Sequence, residues 1–208
     1  MTRAFYDIAF TDAVLAAQER YGSAGMYNKF LAPEADRMDT LGEAEIAFIS
    51  ERDSFYQATV SQTGWPYVQF RGGPRGFAHA LDNKTLGYAD FRGNRQYLSV
   101  GNLSKDDRVA LFFMDYPNQR RLKLLGRARI VDAGDDPDLV ARLHHQDYRA
   151  RPERAVLITV AGFDWNCPQH IPQRFTLDEI ENAVAPLHAE IARLHEENAA
   201  LKAAAAPR

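Results

Sequence analysis

SFYQATVSQTGWPYVQF, Ser54 to Phe70, is the stretch that decides the fold class. Its two ends, FYQATV and YVQF, are rich in β-branched and aromatic residues, and Gln62-Thr63-Gly64 supplies turn chemistry between them. The segment therefore reads as a β-hairpin. Working outward, Gly76 to Leu81, a turn at Asp82-Asn83-Lys84, and Thr85 to Ala89 make a second hairpin. RVALFFM from Arg108 and RLKLLGRARIV from Arg121 add two longer strands, with Gly126 placed to permit a bend or bulge. A helix from Pro137 to Tyr148 follows, and AVLITVAGF from Ala155 reads as the last strand. Six or seven strands joined mostly by short turns predict a mainly β domain with peripheral helices, built as an antiparallel barrel.

Upstream, Thr11 can cap a helix carrying Val14, Leu15 and Ala17 and ending near Tyr21 and Gly22. A second helix spans about Leu41 to Arg52, with Ile46, Phe48 and Ile49 as its buried stripe, and the stretch between the two reads as loop. The C-terminal part has its own pattern. Thr176 and Glu179 form a capping-box pair, and Leu177, Ile180, Val184, Leu187, Ile191, Leu194, Asn198 and Leu201 alternate three and four apart. Two readings stay open for it, a parallel coiled coil and an amphipathic helix lying on the body. Pro186 weakens the coiled-coil reading, because a proline inside the helix can split the seam into two short helices. The expected organisation is a barrel domain with N-terminal helices over residues 1–175 and a helix with its tail over 176–208.

The 208 residues are 46% hydrophobic and 25% charged, the balance of an ordinary globular domain. A single core at this length buries roughly 70% of the unfolded chain's surface, so no metal or disulfide staple is required. Cys167, the one cysteine, excludes an intramolecular disulfide and multi-cysteine metal sites, and favours a reducing compartment such as the cytoplasm. The opening MTRAFYDIAF lacks the apolar core of a secretion signal, and no apolar run reaches membrane-spanning length. The net charge of −3 hides an asymmetry. Arg71 to Arg129 holds nine Arg and three Lys against five Asp, a net of +7, and the remainder carries −10. A basic middle between acidic ends does not suit nucleic acid or a membrane surface, but suits a small phosphate-bearing ligand.

Three clusters inside that basic region could hold such a ligand. In YADFRGNRQ, Tyr88 to Gln96, Arg92 and Arg95 bracket Gly93-Asn94, so a tight turn before a helical run at Tyr97 to Val100 can aim two guanidiniums, an amide and free N–H groups at one point. RGGPRGF, Arg71 to Phe77, interrupts a β pattern with three glycines and two arginines and permits close approach of backbone to a flat or charged ligand. In QRRLK, Gln119 to Lys123, strand geometry points Arg121 and Lys123 the same way. Arginines beside strands are also ordinary solvated edge residues, and Asp90 or Asp115 could pair with some of them. Trp165, Asn166 and Gln169 offer a flat apolar ring and neutral amides. Cys167 reads as a small hydrophobe rather than a nucleophile, His144 and His145 as surface residues on different faces of a helix, and His79 as a lone strand histidine.

Four blocks in order, YQATVSQTGWPYVQFRGGPRGF, LGYADFRGNRQY, DDRVALFFMDYPNQRRLKLLGRARIV and FDWNCPQH, resemble the pyridoxamine 5′-phosphate oxidase-like flavin-binding family over about Ser54 to Phe175. The resemblance implies a split β-barrel that dimerises with FMN at the subunit interface. It also implies that Gln69, Phe70, Arg71, Gly72 and Gly73 line the flavin, that Tyr88 and Ala89 touch it, and that Asn94, Arg95 and Gln96 form the phosphate-gripping turn, helped by Arg92 or Arg71. Two positions depart from the family's oxidases. Arg121 stands where they usually carry glutamine near the flavin, and Gln96 where they carry lysine. Those enzymes also finish on an arginine-rich strand with a tryptophan, whereas the helix from Thr176 follows here. The expected function is therefore an FMN-dependent oxidoreductase using NADH or NADPH and a small acceptor, related to that oxidase but distinct from it. The alternative is a flavin-binding carrier, sensor or scaffold without catalysis.

Overall fold

The computed structural model describes residues 3–32, 37, 39–165 and 168–205. Seven antiparallel strands form one sheet in the order β2-β1-β5-β6-β7-β4-β3: β1 (Ser54–Val60), β2 (Pro66–Gly72), β3 (Ala78–Ala80), β4 (Thr85–Phe91), β5 (Arg108–Asp115), β6 (Arg120–Asp132) and β7 (Pro152–Trp165). Both predicted hairpins are present, with Val60 opposite Pro66 in the first and Ala80 opposite Leu86 in the second. The sheet bends at the predicted glycine: pairing shifts between Leu125 and Gly126, where a Cβ would lie 2.7 Å from Ile158 Cγ2 and from Thr159 O. It curls without closing, leaving β2 and β3 as edges, in the manner of a split barrel.

The inside of the curl is apolar. Phe55 stacks on Phe77 at 5.5 Å, meets Tyr88 edge-on at 5.3 Å, and sits with Phe113, Leu122, Leu124, Ile158 and Phe163 in one cluster. The two ends of the curl also touch through polar groups. The Tyr88 hydroxyl donates to Gln57 Oε1 at 2.7 Å, from β4 to β1, and Arg71 of β2 reaches Asp90 of β4.

Helices cover what the sheet leaves open. Helix α1 (Arg3–Ala9), absent from the sequence reading, buries Ala4, Phe5 and Tyr6 on β7. It approaches so closely at Gly162 that a Cβ there would lie 2.7 Å from Phe5 N. Burial raises the Tyr6 hydroxyl above its ordinary pKa, and the neighbouring Asp164 charge adds to the shift. Helix α2 (Asp12–Arg20) follows Thr11 as predicted, but Thr11 makes no side-chain cap, and the stretch read as loop holds a 3-10 turn at Ala24–Tyr27 and α3 (Asn28–Leu31). Helix α4 (Glu43–Ser50) lies within its predicted bounds and buries Phe48 and Ile49. A short α5 (Leu98–Leu103) follows β4, and α6 (Pro137–Leu143) covers Ala89 and Ala155 with Leu139, Val140 and Leu143.

Three expectations are corrected. Helix α6 ends at Leu143 rather than Tyr148, because His144 turns to extended backbone at ψ 129°. The last strand begins at Pro152, which lengthens its pairing with β6. Helix α7 (Leu177–Ala205) runs unbroken through Pro186, and none of its residues is buried, so it neither splits in two nor lies on the body. Its capping box forms as predicted, with Glu179 N donating to Thr176 Oγ1 at 3.2 Å and Thr176 N to Glu179 Oε2 at 2.8 Å. No helix among the described residues is long and apolar enough to cross a membrane.

Because the atoms facing Gly162 are backbone and cannot rotate away, Gly162→Ala is expected to lift α1 off β7 and lower stability by about 1–3 kcal/mol in urea unfolding. Gly134→Ala, where nothing lies within 4 Å, provides the matched control.

Candidate functional site

Strand alternation divides β2 into two faces. Tyr67, Gln69 and Arg71 point into a polar cavity of about 60 Å³, shared with Asp90 of β4, Arg154 of β7 and the turn Gly93–Tyr97. One water needs about 10–15 Å³ of such space, so the cavity takes a few waters or one phosphate-sized group. The cavity floor is an ion triad. Asp90, 5% exposed, accepts from Arg71 Nη1 at 2.6 Å through one oxygen and from Arg154 Nη1 at 2.8 Å through the other. Burial opposes the charge on Arg154, and hydrogen bonds to Asp90, Glu153 and Asp132 outweigh it, raising that guanidinium above its ordinary pKa.

The rim is the turn after β4. Asn94 Oδ1 accepts from Gln96 N at 3.2 Å, and Arg95 and Tyr97 adopt left-handed backbone at φ 63° and 52°. For side chains of this size such conformations cost of order 1–3 kcal/mol each, and they persist where the surroundings over-determine them. Among the described residues Arg95 makes no ion pair, unlike Arg71 and Arg154 beneath it. Arg71 Nε is buried without a hydrogen-bond partner. The donor set is thus a spare guanidinium on the rim and an unpaired guanidinium N–H below, a cationic arrangement with unused capacity for an anion.

The opposite face of the sheet is different. Tyr56, Ala58, Val68, Ala110, Phe112 and Met114 line an apolar groove of about 680 Å³, together with Ile171 and the predicted pair Arg121 and Lys123. Arg121 lies over the Phe112 ring at 5.3 Å, and its Nε is buried and unpaired. Lys123 is engaged, 2.8 Å from Asp164 and 4.7 Å from the Phe5 ring centroid.

Of the predicted residues, then, Gln69, Arg71, Asn94, Arg95 and Gln96 come together in one cavity. Phe70, Gly72, Tyr88 and Ala89 line a neighbouring space of about 130 Å³ that shares Arg71 and Asp90. Tyr88 is buried, and burial pushes its hydroxyl above the ordinary value, so it is a neutral donor to Gln57. Gly73 lines none of these spaces; it lets the chain fold over Phe77, whose Cγ would be 2.7 Å from a Cβ. Arg92 turns outward to Glu153 at 3.7 Å. Trp165 donates its indole N–H to Glu45 at 2.7 Å and stacks edge-on with Phe48, at the far end of β7 from Arg154. Gln169 is exposed and lines no cavity described above, and Asn166 and Cys167 lie outside the described residues. Asp90 pairs with two arginines, whereas Asp115 takes Arg52 at 3.5 Å. Arg154 and Ser99 are cavity residues that the sequence reading did not single out.

The histidines are placed differently from the sequence reading. His144 and His145 follow α6 instead of riding on it, and His145 stacks on His79 at 5.5 Å. Burial lowers the His79 pKa, and His145 adds to the effect. Among the described residues no group of three or more His, Cys, Asp or Glu could hold a metal ion.

The family model for pyridoxamine 5′-phosphate oxidase matches residues 41–164, more than half of the chain and all seven strands up to Asp164. The chain belongs to the pyridoxamine 5′-phosphate oxidase family. Among solved structures, HupZ of Group A Streptococcus, in a tagged form, is 16% identical with a TM-score of 0.50, covering 65% of this chain and 99% of its own. An FMN-binding protein from Syntrophomonas wolfei is 12% identical with a TM-score of 0.48, covering 74% and 97%. A relative of general stress protein 26 from Clostridium acetobutylicum, described as of the pyridoxinephosphate oxidase family, is 17% identical at 0.44, covering 64% and 92%. At these identities the likeness to HupZ is one of fold. No curated protein sequence matches the chain.

The triad yields a direct expectation. Asp90→Asn leaves the buried Arg154 and the half-buried Arg71 without their counter-charge and should cost about 3–5 kcal/mol in urea unfolding. Glu190→Gln, at an exposed pair on α7, should leave the unfolding midpoint unmoved.

Proposed function

We propose that this member of the family is a cytoplasmic, homodimeric FMN-binding oxidoreductase that uses NADH or NADPH and a small acceptor, and is distinct from pyridoxamine 5′-phosphate oxidase itself. The observation that carries the reading is Arg95, an unpaired guanidinium on a strained turn above a cavity of phosphate size. Arg95, with Asn94, Gln96 and Gln69 around it, would hold the FMN phosphate, and the Asp90 triad would fix Arg71 beneath it.

In the proposed dimer the ring system would cross to the second copy, whose groove on the opposite sheet face fits it. Arg121 presents an unpaired N–H inside an apolar groove, a combination suited to an aromatic ring with a carbonyl-bearing, electron-accepting edge. A fixed positive charge there would favour gain of electron density at that edge. The same face leaves Val68 59% and Phe70 57% exposed, and a second copy of the chain covering it would keep water from the ring. Bound FMN supplies two-electron redox chemistry, so the chain's task is to grip, orient and shield. Distinction from the oxidase rests on Arg121 and Gln96, which stand where that enzyme carries glutamine and lysine.

Purified protein should be yellow, and should consume NADH or NADPH with oxygen or a dye as acceptor without turning over pyridoxamine phosphate. Bound flavin with no nicotinamide oxidation would assign the chain as a carrier or sensor. Arg95→Ala should weaken FMN binding by the roughly 1.5–3 kcal/mol of a charged hydrogen bond, about ten- to a hundredfold, while Arg129→Ala should leave it unchanged. Equal affinities in the two variants would remove Arg95 from the phosphate site.

A further inference from the structure

Helix α7 has 29 residues, about 44 Å at helical rise, and makes no extensive contact with any other element. Its apolar side chains face solvent: Leu187 is 62% exposed, Ile191 50%, Leu194 45% and Leu201 63%. They form one stripe, with Val184, Ile191 and Asn198 at the a positions of a heptad and Ile180, Leu187, Leu194 and Leu201 at d. Pro186 falls at c, away from the stripe, so its missing N–H and its ring sit on the outer face of a helix that continues through it.

We infer that α7 pairs with α7 of a second copy of this chain as a parallel, in-register, two-stranded coiled coil. This inference goes beyond the flavin reading and does not rest on it. Three features select the partner and its direction. β-Branched residues at a with leucine at d favour two strands. Asn198 at a meets its own counterpart when the helices run parallel and in register, whereas an antiparallel pair would set it against an apolar d residue. The flanking charges agree. In the parallel pair Glu190 at g faces His195 at e of the second copy, and Glu197 at g faces Lys202 at e, while the antiparallel pair would set glutamates against glutamates. Arg193 at c bonds Glu190 at 2.7 Å and Glu197 at 3.0 Å, which holds both carboxylates along that flank.

The test uses the full chain with Cys167→Ser, which removes the native thiol, carrying either Leu201→Cys at d or Ala199→Cys at b. Under mild oxidation at micromolar concentration, the Leu201→Cys chain should form a disulfide-linked dimer at least tenfold faster than the Ala199→Cys chain. Pairing of the barrels alone would give no such difference, so the result is read independently of flavin binding. Equal rates, or no linked dimer from Leu201→Cys, would overturn the inference. A mixed disulfide between Leu177→Cys and Leu201→Cys chains, with none between two Leu201→Cys chains, would show the antiparallel arrangement, in which a faces d, and overturn it too. As a second reading, Asn198→Leu should raise the melting temperature of the pair and broaden its mass distribution in light scattering. An unchanged melting temperature and mass would place Asn198 outside any helix contact and overturn the assignment.

Discussion

The buried carboxylate of Asp90 holds this architecture at the place where it would otherwise fall open. Burying one carboxylate costs several kcal/mol unless opposite charge and hydrogen bonds replace the lost water. Here Arg71, from the edge strand β2, and Arg154, from β7, supply both. The pairing order places β2 at one edge of the sheet and β4 next to the other, so the Arg71 contact ties the two ends of the curl together. A parallel tie runs through Tyr88 and Gln57 deeper in the core. These links set the depth of the polar cavity, and the turn that carries Arg95 rises directly from the strand that carries Asp90.

Much of the fold was legible because its signals are local. Alternation in Ser54–Phe70, turn residues at Asp82-Asn83-Lys84 and a glycine at the bend of β6 fix strands without knowledge of the rest. What was not legible depends on tertiary contact. Helix α1 is seven residues long, too short for a strong periodicity, and Gly162 lets it lie on β7. Helix α6 stops at Leu143, where His144 takes up extended backbone, and the turn that follows sets His145 against His79. Helix α7 survives Pro186 because the proline's cost of about 3 kcal/mol is spread over a long helix whose other residues are good helix formers.

The candidate site divides along the same line. Asn94, Arg95 and Gln96 form a contiguous turn, and Gln69 and Arg71 share a face of one strand, so sequence spacing brought each group together. The family resemblance then joined the two groups. Arg154 was missed because it lies 64 residues from Asp90 and becomes visible through strand pairing, although a charged residue at the start of an apolar strand was a signal that could have found it. Trp165 offered suitable chemistry for a flavin, but its N–H is satisfied by Glu45. Composition cannot reveal such a commitment.

The central claim is that a cationic cavity under Arg95 recognises the phosphate of a flavin nucleotide. Riboflavin carries the same ring without that phosphate, so titrating the flavin-free protein with FMN and with riboflavin isolates the claim. The account predicts that FMN binds at least a hundredfold more tightly, on the order of 3 kcal/mol, and that Arg95→Ala removes most of the difference. Equal affinity for the two flavins in the unaltered protein would contradict it.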